Sequence, residues 1–236
     1  MKKFCGIVVI ILLVAALGIG LKQSIATFGT TSIETSDVKQ KSEKQRIVID
    51  PGHGGFDPGK VGVNNILEKD INLEVSLFLK DELEAAGYDV VMTRTEDCGL
   101  YSSTDSNKKR TDMQKRVEII NNSNAVIAVS IHQNSFEQES SKGAQVFYHQ
   151  QSEKGKILGE MLQETIKAEI ADGNHRVAKS NDSYYLFRKT QCPTVIVECG
   201  FLTNQGESKL LTEEDYQKKM AAAICDGIKK YFEQNV

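Results

Sequence analysis

The stretch Arg46-Ile47-Val48-Ile49-Asp50-Pro51-Gly52-His53-Gly54-Gly55 decides the fold of this chain. Ile47, Val48 and Ile49 are consecutive β-branched residues, which suits a strand buried on both faces. Pro51 and Gly52 end that strand. The glycines around His53 let the backbone pass close to whatever the histidine holds. In an open α/β sheet, ligands sit beyond the C-terminal ends of the strands, so His53 is placed for a metal or for catalysis. Alone, a loop histidine is as readily a solvated turn residue.

Outward from this strand, the apolar pattern alternates between two periods. Ile71, Val75, Phe78, Leu79, Leu83 and Ala86 recur at helical spacing, and Gly87 closes that helix as its C′ residue. Residues 88–93 read as a second strand and 97–109 as a polar surface loop. Met113, Val117 and Ile120 mark a second helix, ending at Asn121-Asn122. Residues 125–131 are apolar throughout and predict a central third strand, which delivers His132 as the first strand delivers His53. A fourth strand is expected over 143–148, and a third helix around Leu158, Met161, Leu162, Ile166 and Ile170. Residues 184–187 and 194–197 read as short strands. Thr212 and Asp215 form a capping-box signal before a terminal helix carrying Met220, Ile224, Ile228 and Tyr231. Strands alternating with helices predict one α/β domain, a twisted, mostly parallel sheet of about six strands flanked by helices.

The 236 residues suffice for one ordinary domain or two small ones. Charged residues make up 26% and the net charge is −3, which argues against a nucleic-acid partner, whose binders are usually basic. Cys5, Cys98, Cys192, Cys199 and Cys225 form neither a CxxC pair nor a zinc-finger spacing. They read mostly as small buried hydrophobes, although a Cys192–Cys199 bridge would fit an oxidising compartment.

Lys2 and Lys3 precede an uninterrupted apolar stretch over residues 4–21. At about 1.5 Å per residue it spans ~27 Å, just enough for a bilayer core. Residues 1–26 therefore read as a membrane anchor or as a signal peptide, with Ser24-Ile25-Ala26 as a small-x-small cleavage site. Either way the remainder is exported. Residues 27–45 are polar, rich in Ser, Thr and Lys, and read as a linker. Residues 46–236 are the expected catalytic domain.

Three ligand-type side chains fall in three separate segments: His53 after the first strand, Glu68 just before the first helix, and His132 after the third strand. Two histidines and a carboxylate are a usual catalytic zinc set that leaves a fourth position open. Magnesium and calcium would call for oxygen ligands instead. Glu198 closes the strand expected over 194–197 and fits the base that moves a proton from water to a leaving amine. Each residue has a plainer reading. Glu68 suits a helix N-terminus, His132 suits a satisfied strand end, and Glu198 suits an ion pair with Arg94 or Arg188. Their convergence at the strand ends of one sheet favours chemistry. Neither His149 nor His175 is needed by this scheme.

At this point the sequence resembles the zinc-dependent N-acetylmuramoyl-L-alanine amidases of the amidase_3 type. The matching stretches are Ile49 to Gly55, Leu67-Glu68-Lys69-Asp70 with Asn72-Leu73, Met92-Thr93-Arg94, and Arg116-Val117 leading into Asn121. Val129-Ser130-Ile131-His132-Gln133-Asn134 and Pro193 through Asn204 continue the series. The resemblance implies zinc ligands His53, Glu68 and His132, one zinc per chain, and a catalytic Glu198. It points to Asn134, Arg94, Gly200 and Asn204 as substrate-binding candidates. It implies cleavage of the amide between N-acetylmuramic acid and the L-alanine of the peptidoglycan stem peptide. Gln133 and Cys199 depart from the residues common at those positions, without removing a ligand.

Within that family the short N-terminal apolar segment and the absence of wall-binding repeats look like the germination-specific cortex amidases of endospore formers. That likeness implies a role in muramic-δ-lactam formation, a sporulation partner protein, and a separate muramic acid deacetylase in the same pathway. A vegetative autolysin or daughter-cell separation amidase is the alternative setting. A zinc carboxypeptidase or aminopeptidase and a non-catalytic wall-binding module are the rival classes. Release of L-alanine N-termini from intact peptidoglycan separates the amidase from both.

Overall fold

A computed structural model describes residues 44–234 of the chain. The apolar run over 4–21 and the linker as far as residue 43 lie outside the described residues. Among the described residues, no helix is long and apolar enough to cross a membrane.

The domain is a six-stranded, mostly parallel α/β sheet flanked by helices, in the order β2-β1-β3-β6-β4-β5. Its strands are β1 (Arg46–Pro51), β2 (Asp89–Met92), β3 (Ile127–Asn134), β4 (Gln145–Tyr148), β5 (Lys179–Ser180) and β6 (Thr194–Phe201). Its helices are α1 (Glu68–Ala85), α2 (Lys108–Asn122), α3 (Glu153–Ile170), α4 (Tyr185–Lys189), α5 (Gln205–Leu210) and α6 (Glu214–Glu233). β4 runs antiparallel to β6, and every other pairing is parallel.

The β-branched run of β1 is buried on both faces, as its sequence requires. Ile47 and Ile49 join the larger core with Ile127, Val129 and Ile131 of β3 and the apolar faces of α1, α3 and α6. Val48 points the other way, into a smaller core with Ala128, Ile120 of α2 and Leu186 of α4. Period-2 alternation along the strands thus divides the apolar residues between two helical layers. β3 lies at the centre, between β1 and β6. α1 ends on Gly87 at φ 95°, with Gly87 N donating to Glu84 O and Tyr88 N to Leu83 O, the paired bonds of a Schellman cap.

Two sequence expectations are corrected, and the reading of the cysteines as unbridged holds. Residues 184–187 are not a strand: Tyr184 is the N-cap of the short helix α4, and the fifth strand is the two-residue β5. Thr212 does not cap α6. Its hydroxyl donates back to Lys209 O, and Glu213 occupies the cap position without a side-chain bond. Cys192 and Cys199 are free. β6 runs extended from Thr194 past Cys199 at ~3.3 Å per residue, far beyond the ~7 Å Cα separation that a disulfide tolerates.

Candidate active site

β1 and β3 are adjacent and parallel, while the chain leaves β1 for β2 on the opposite side. This is a topological switch point, where α/β sheets open a crevice at their C-terminal ends. Both histidines emerge there. Gly52 N donates to Ile131 O at 3.0 Å, which carries the β1–β3 pairing one residue further and seats Gly52 against the ring of His132. A Cβ at Gly52 would lie 2.2 Å from His132 Cε1, so any side chain there would displace the ring.

His53 has φ 60°, in the left-handed region that non-glycine residues seldom adopt. Arg116 of α2 supplies an anchor that holds this conformation in place. Its Nη2 donates to His53 O at 2.5 Å and its Nη1 to Pro51 O at 2.7 Å. The guanidinium also pairs with Asp50 at 2.7 Å and Asp112 at 2.6 Å. Asp50 completes the brace by accepting from Thr93 and Ser130. Strained backbone that the surroundings fix in this way is characteristic of functional loops.

Glu68 opens α1 and is 4% exposed. Its Oε2 lies 3.2 Å from His53 Nε2, and its Oε1 lies 3.0 Å from His132 Nδ1. The two imidazole rings stand edge to face, 5.0 Å between centroids. One ligand atom from each of the three residues falls within 4.8 Å of the others. Burial disfavours the Glu68 charge, but hydrogen bonds and charge from His132 and His53 outweigh it and hold the carboxyl far below the usual range. Lys60 N at 2.7 Å and Gln133 N at 3.1 Å also donate to it. Two nitrogens and one carboxylate oxygen, converging without an intervening side chain, suit zinc by number and softness.

Glu198 lies in β6 and is the register partner of His132 across the β3–β6 pair. The register slips immediately afterwards, between His132 and Asn134. Glu198 is 8% exposed, and its Oε2 is buried with no hydrogen-bond partner. Burial pushes its carboxyl up to about 7, opposed by the charges of His132 and His53 and reinforced by that of Glu68. The Tyr184 hydroxyl lies beside the carboxylate, and burial followed by the Glu198 charge pushes that phenol up to about 12. A carboxyl poised near neutrality and holding an unpaired oxygen is suited to moving protons. Neither proposed ion pair forms. Arg94 is 3% exposed and donates to the carbonyls of Pro51, Gly52, Lys69 and Glu96, and Arg188 is exposed.

His53, Glu68, His132 and Glu198 all line one cleft of about 340 Å³. Of the other candidates, Asn134 lines it too. Arg94, Gly200 and Asn204 serve the backbone instead. Gly200 leaves room for the Glu207 carboxylate, and Asn204 caps α5 and bonds Glu139 O. His149 and His175 line separate hollows.

The sequence alone does not single out Asp57 or Lys109, any more than Tyr184 or Arg116, as a site residue. Asp57 holds Nδ1 of His53 at 3.0 Å, and its position four residues along the same glycine loop was the available signal. Lys109, which opens onto the cleft, ends the stretch over 97–109 that reads as a polar surface loop.

The sequence matches the family model "N-acetylmuramoyl-L-alanine amidase", Amidase_3, over residues 47–230. It is 36% identical over 189 residues to the germination-specific N-acetylmuramoyl-L-alanine amidase of Bacillus subtilis, covering 79% of each chain. Among solved structures it is similar to the CwlD amidase from Clostridioides difficile in complex with the GerS lipoprotein. There the identity is 42%, the coverage 81% of this chain and 100% of that one, and the TM-score 0.79. An N-acetylmuramoyl-L-alanine amidase from Clostridium difficile 630 aligns with 29% identity and a TM-score of 0.73, over 83% of this chain and all of the other.

Proposed function

The chain belongs to the Amidase_3 family of N-acetylmuramoyl-L-alanine amidases, and from that premise we propose a zinc enzyme of the spore cortex whose active site is the cleft above β1, β3 and β6. It is a peptidoglycan hydrolase that cuts the amide between N-acetylmuramic acid and L-alanine. The observation that carries the zinc reading is the convergence of His53, Glu68 and His132 within 4.8 Å, in the cleft where Glu198 Oε2 is buried without a partner.

In this reading His53, Glu68 and His132 hold the ion. Bound zinc supplies Lewis acidity, which activates water near neutral pH and polarises a carbonyl. The protein residues do the rest. Glu198 takes a proton from the attacking water and returns it to the L-alanine nitrogen, which is too basic to depart as an anion. Asp57 fixes the orientation of the His53 ring, and Arg116 fixes the loop beneath it. Asn134 lines the cleft where the substrate's polar groups enter.

The biological setting extends this reading. The likeness to a germination-specific amidase supports a role in muramic-δ-lactam formation, with a deacetylase acting in the same pathway. The likeness to an amidase solved with a lipoprotein supports a sporulation partner protein. The apolar run over residues 4–21 supports export, with the segment serving as membrane anchor or cleaved signal. Mass spectrometry of cortex muropeptides from sporulating cells with and without the gene tests reaction and setting together. Loss of lactam in the mutant is the expected result. An unchanged cortex accompanied by altered vegetative wall would assign the enzyme to growth instead.

A further inference from the structure

We propose that Lys109 is a specificity residue, which recognises a free carboxylate on the stem peptide two residues beyond the bond that is cut. The inference rests on the reading that the cleft around Glu198 is where the amide is hydrolysed.

The cleft is lined by five carboxylates: Asp50, Asp57, Glu68, Asp112 and Glu198. Among its described lining residues there are two permanent cations, Arg116 and Lys109. Arg116 is 1% exposed and fully committed to Asp50, Asp112 and the carbonyls of Pro51 and His53. Lys109 differs from it. It stands in the first turn of α2 with its side chain 68% exposed, and its Nζ lies 3.4 Å from Asp57 Oδ2. That contact is longer than a regular hydrogen bond and engages at most one of three ammonium donors. The adjacent Lys108 takes the ordinary surface alternative, with its Nζ 5.5 Å from the ring centroid of Tyr101.

Arg116 already balances Asp50 and Asp112, and a bound zinc would balance Glu68 and its neighbours, so Lys109 is the lining cation, among the described residues, that is left to meet a substrate carboxylate. In the stem peptide, L-alanine is followed by a glutamate joined through its side chain, which leaves the backbone carboxylate of that residue free or amidated. That group lies two residues from the scissile carbonyl, ~7 Å at about 3.5 Å per residue. The Lys109 ammonium stands two contacts from the His53 ring, 3.4 Å to Asp57 and 3.0 Å from Asp57 to Nδ1. An exposed ammonium on the wall of the same cleft, behind the His53 ring, therefore suits that carboxylate in place and in charge. Carboxylates farther along the peptide share the same chemistry but would overshoot this position.

The test uses the full chain purified with zinc, and three disaccharide-peptide substrates. One has every carboxylate free, one is amidated only at the second residue, and one is amidated only at the later residues. Wild type should cleave the first and third with kcat/KM about tenfold above the second, the difference lying in KM, as suits one charge-assisted hydrogen bond. Lys109→Met should bring the ratio close to one, and Lys109→Arg should preserve it. A wild type that cleaves all three equally overturns this inference and leaves the amidase reading standing. A preference that follows the later carboxylates, or a Lys109→Met variant that slows every substrate alike, also overturns it. The second of these outcomes would make Lys109 a structural support for Asp57. Failure of the wild type to cleave any substrate would instead overturn the assignment of the active site itself.

Discussion

Asp57 Oδ2 stands 3.0 Å from Nδ1 of His53, so the ring turns its other nitrogen, Nε2, toward Glu68 at 3.2 Å. A carboxylate behind a metal-binding imidazole fixes both its tautomer and its direction, and its loss typically weakens metal binding 10–100-fold. Asp57→Ala should therefore lower zinc affinity by roughly that factor and leave the fold intact. Competition against a chromophoric chelator measures it. Unchanged affinity would mean that packing alone orients the ring.

Gly52 tests the opposite wall of the site. Its φ is unexceptional, so any effect of a side chain there is steric. A methyl group would sit 2.2 Å from His132 Cε1 and 2.4 Å from Nε2, and the imidazole would have to swing away. Gly52→Ala should retain secondary structure by circular dichroism yet bind zinc substoichiometrically. Full zinc occupancy in that variant would show that His132 has room that the present packing denies it.

The Asp50–Arg116 pair sets a pH dependence of stability. Burial disfavours the Asp50 charge, but the Arg116 charge and hydrogen bonds from Thr93, Ser130 and Arg116 outweigh it and hold the carboxyl at about 2, against 3.8 when exposed. The folded pKa lies below the unfolded one, so the unfolded state binds more protons in that window and stability rises with pH. The contribution, roughly 2 kcal/mol, is complete above about pH 4 and is lost as the pH falls toward 2. Asp50→Asn should cost about 3–5 kcal/mol at neutral pH, because it leaves Arg116 buried without its partner. The gap between variant and wild type should then narrow below pH 4. Urea unfolding of chelator-treated protein at a series of pH values checks both signs.

Much of this architecture was legible because burial on two faces leaves an unmistakable mark. Ile47-Val48-Ile49 and the apolar run ending at Ile131 admit little besides central strands, and these strands bring His53, two residues past β1, and His132, near the end of β3, to one end of the sheet. Residues 184–187 failed for the opposite reason. Four consecutive aromatic or large apolar side chains satisfy a strand or one helical turn equally, and only tertiary packing of Leu186 and Phe187 decides for the helix. That error concealed Tyr184, which lies beside Glu198 only because α4 begins where it does. The Arg116 brace was hidden too. Its partners Asp50, Pro51 and His53 are 63–66 residues away in sequence, and local periodicity carries no trace of such a contact.

Glu198 and His132 are register partners on adjacent parallel strands, so both side chains leave the same face of the sheet at the same level. A carboxylate in that position could serve as a fourth ligand or as the proton carrier, and the two roles predict different behaviour. A fourth protein ligand would close the site and exclude the water that hydrolysis needs. The converging ligand atoms belong to His53, Glu68 and His132, while Glu198 Oε2 is left buried without a partner. Burial also pushes this carboxyl up to about 7, where a group can accept and return a proton near neutrality. Glu198→Gln preserves size and polarity but cannot accept the proton. It should keep a full complement of zinc, bind peptidoglycan fragments as the wild type does, and lose at least about 10² in turnover. Zinc content by atomic absorption and turnover on a soluble muropeptide, measured on the same preparation, decide between the roles. Loss of zinc would make Glu198 a ligand, and near-normal turnover with zinc retained would remove it from the reaction.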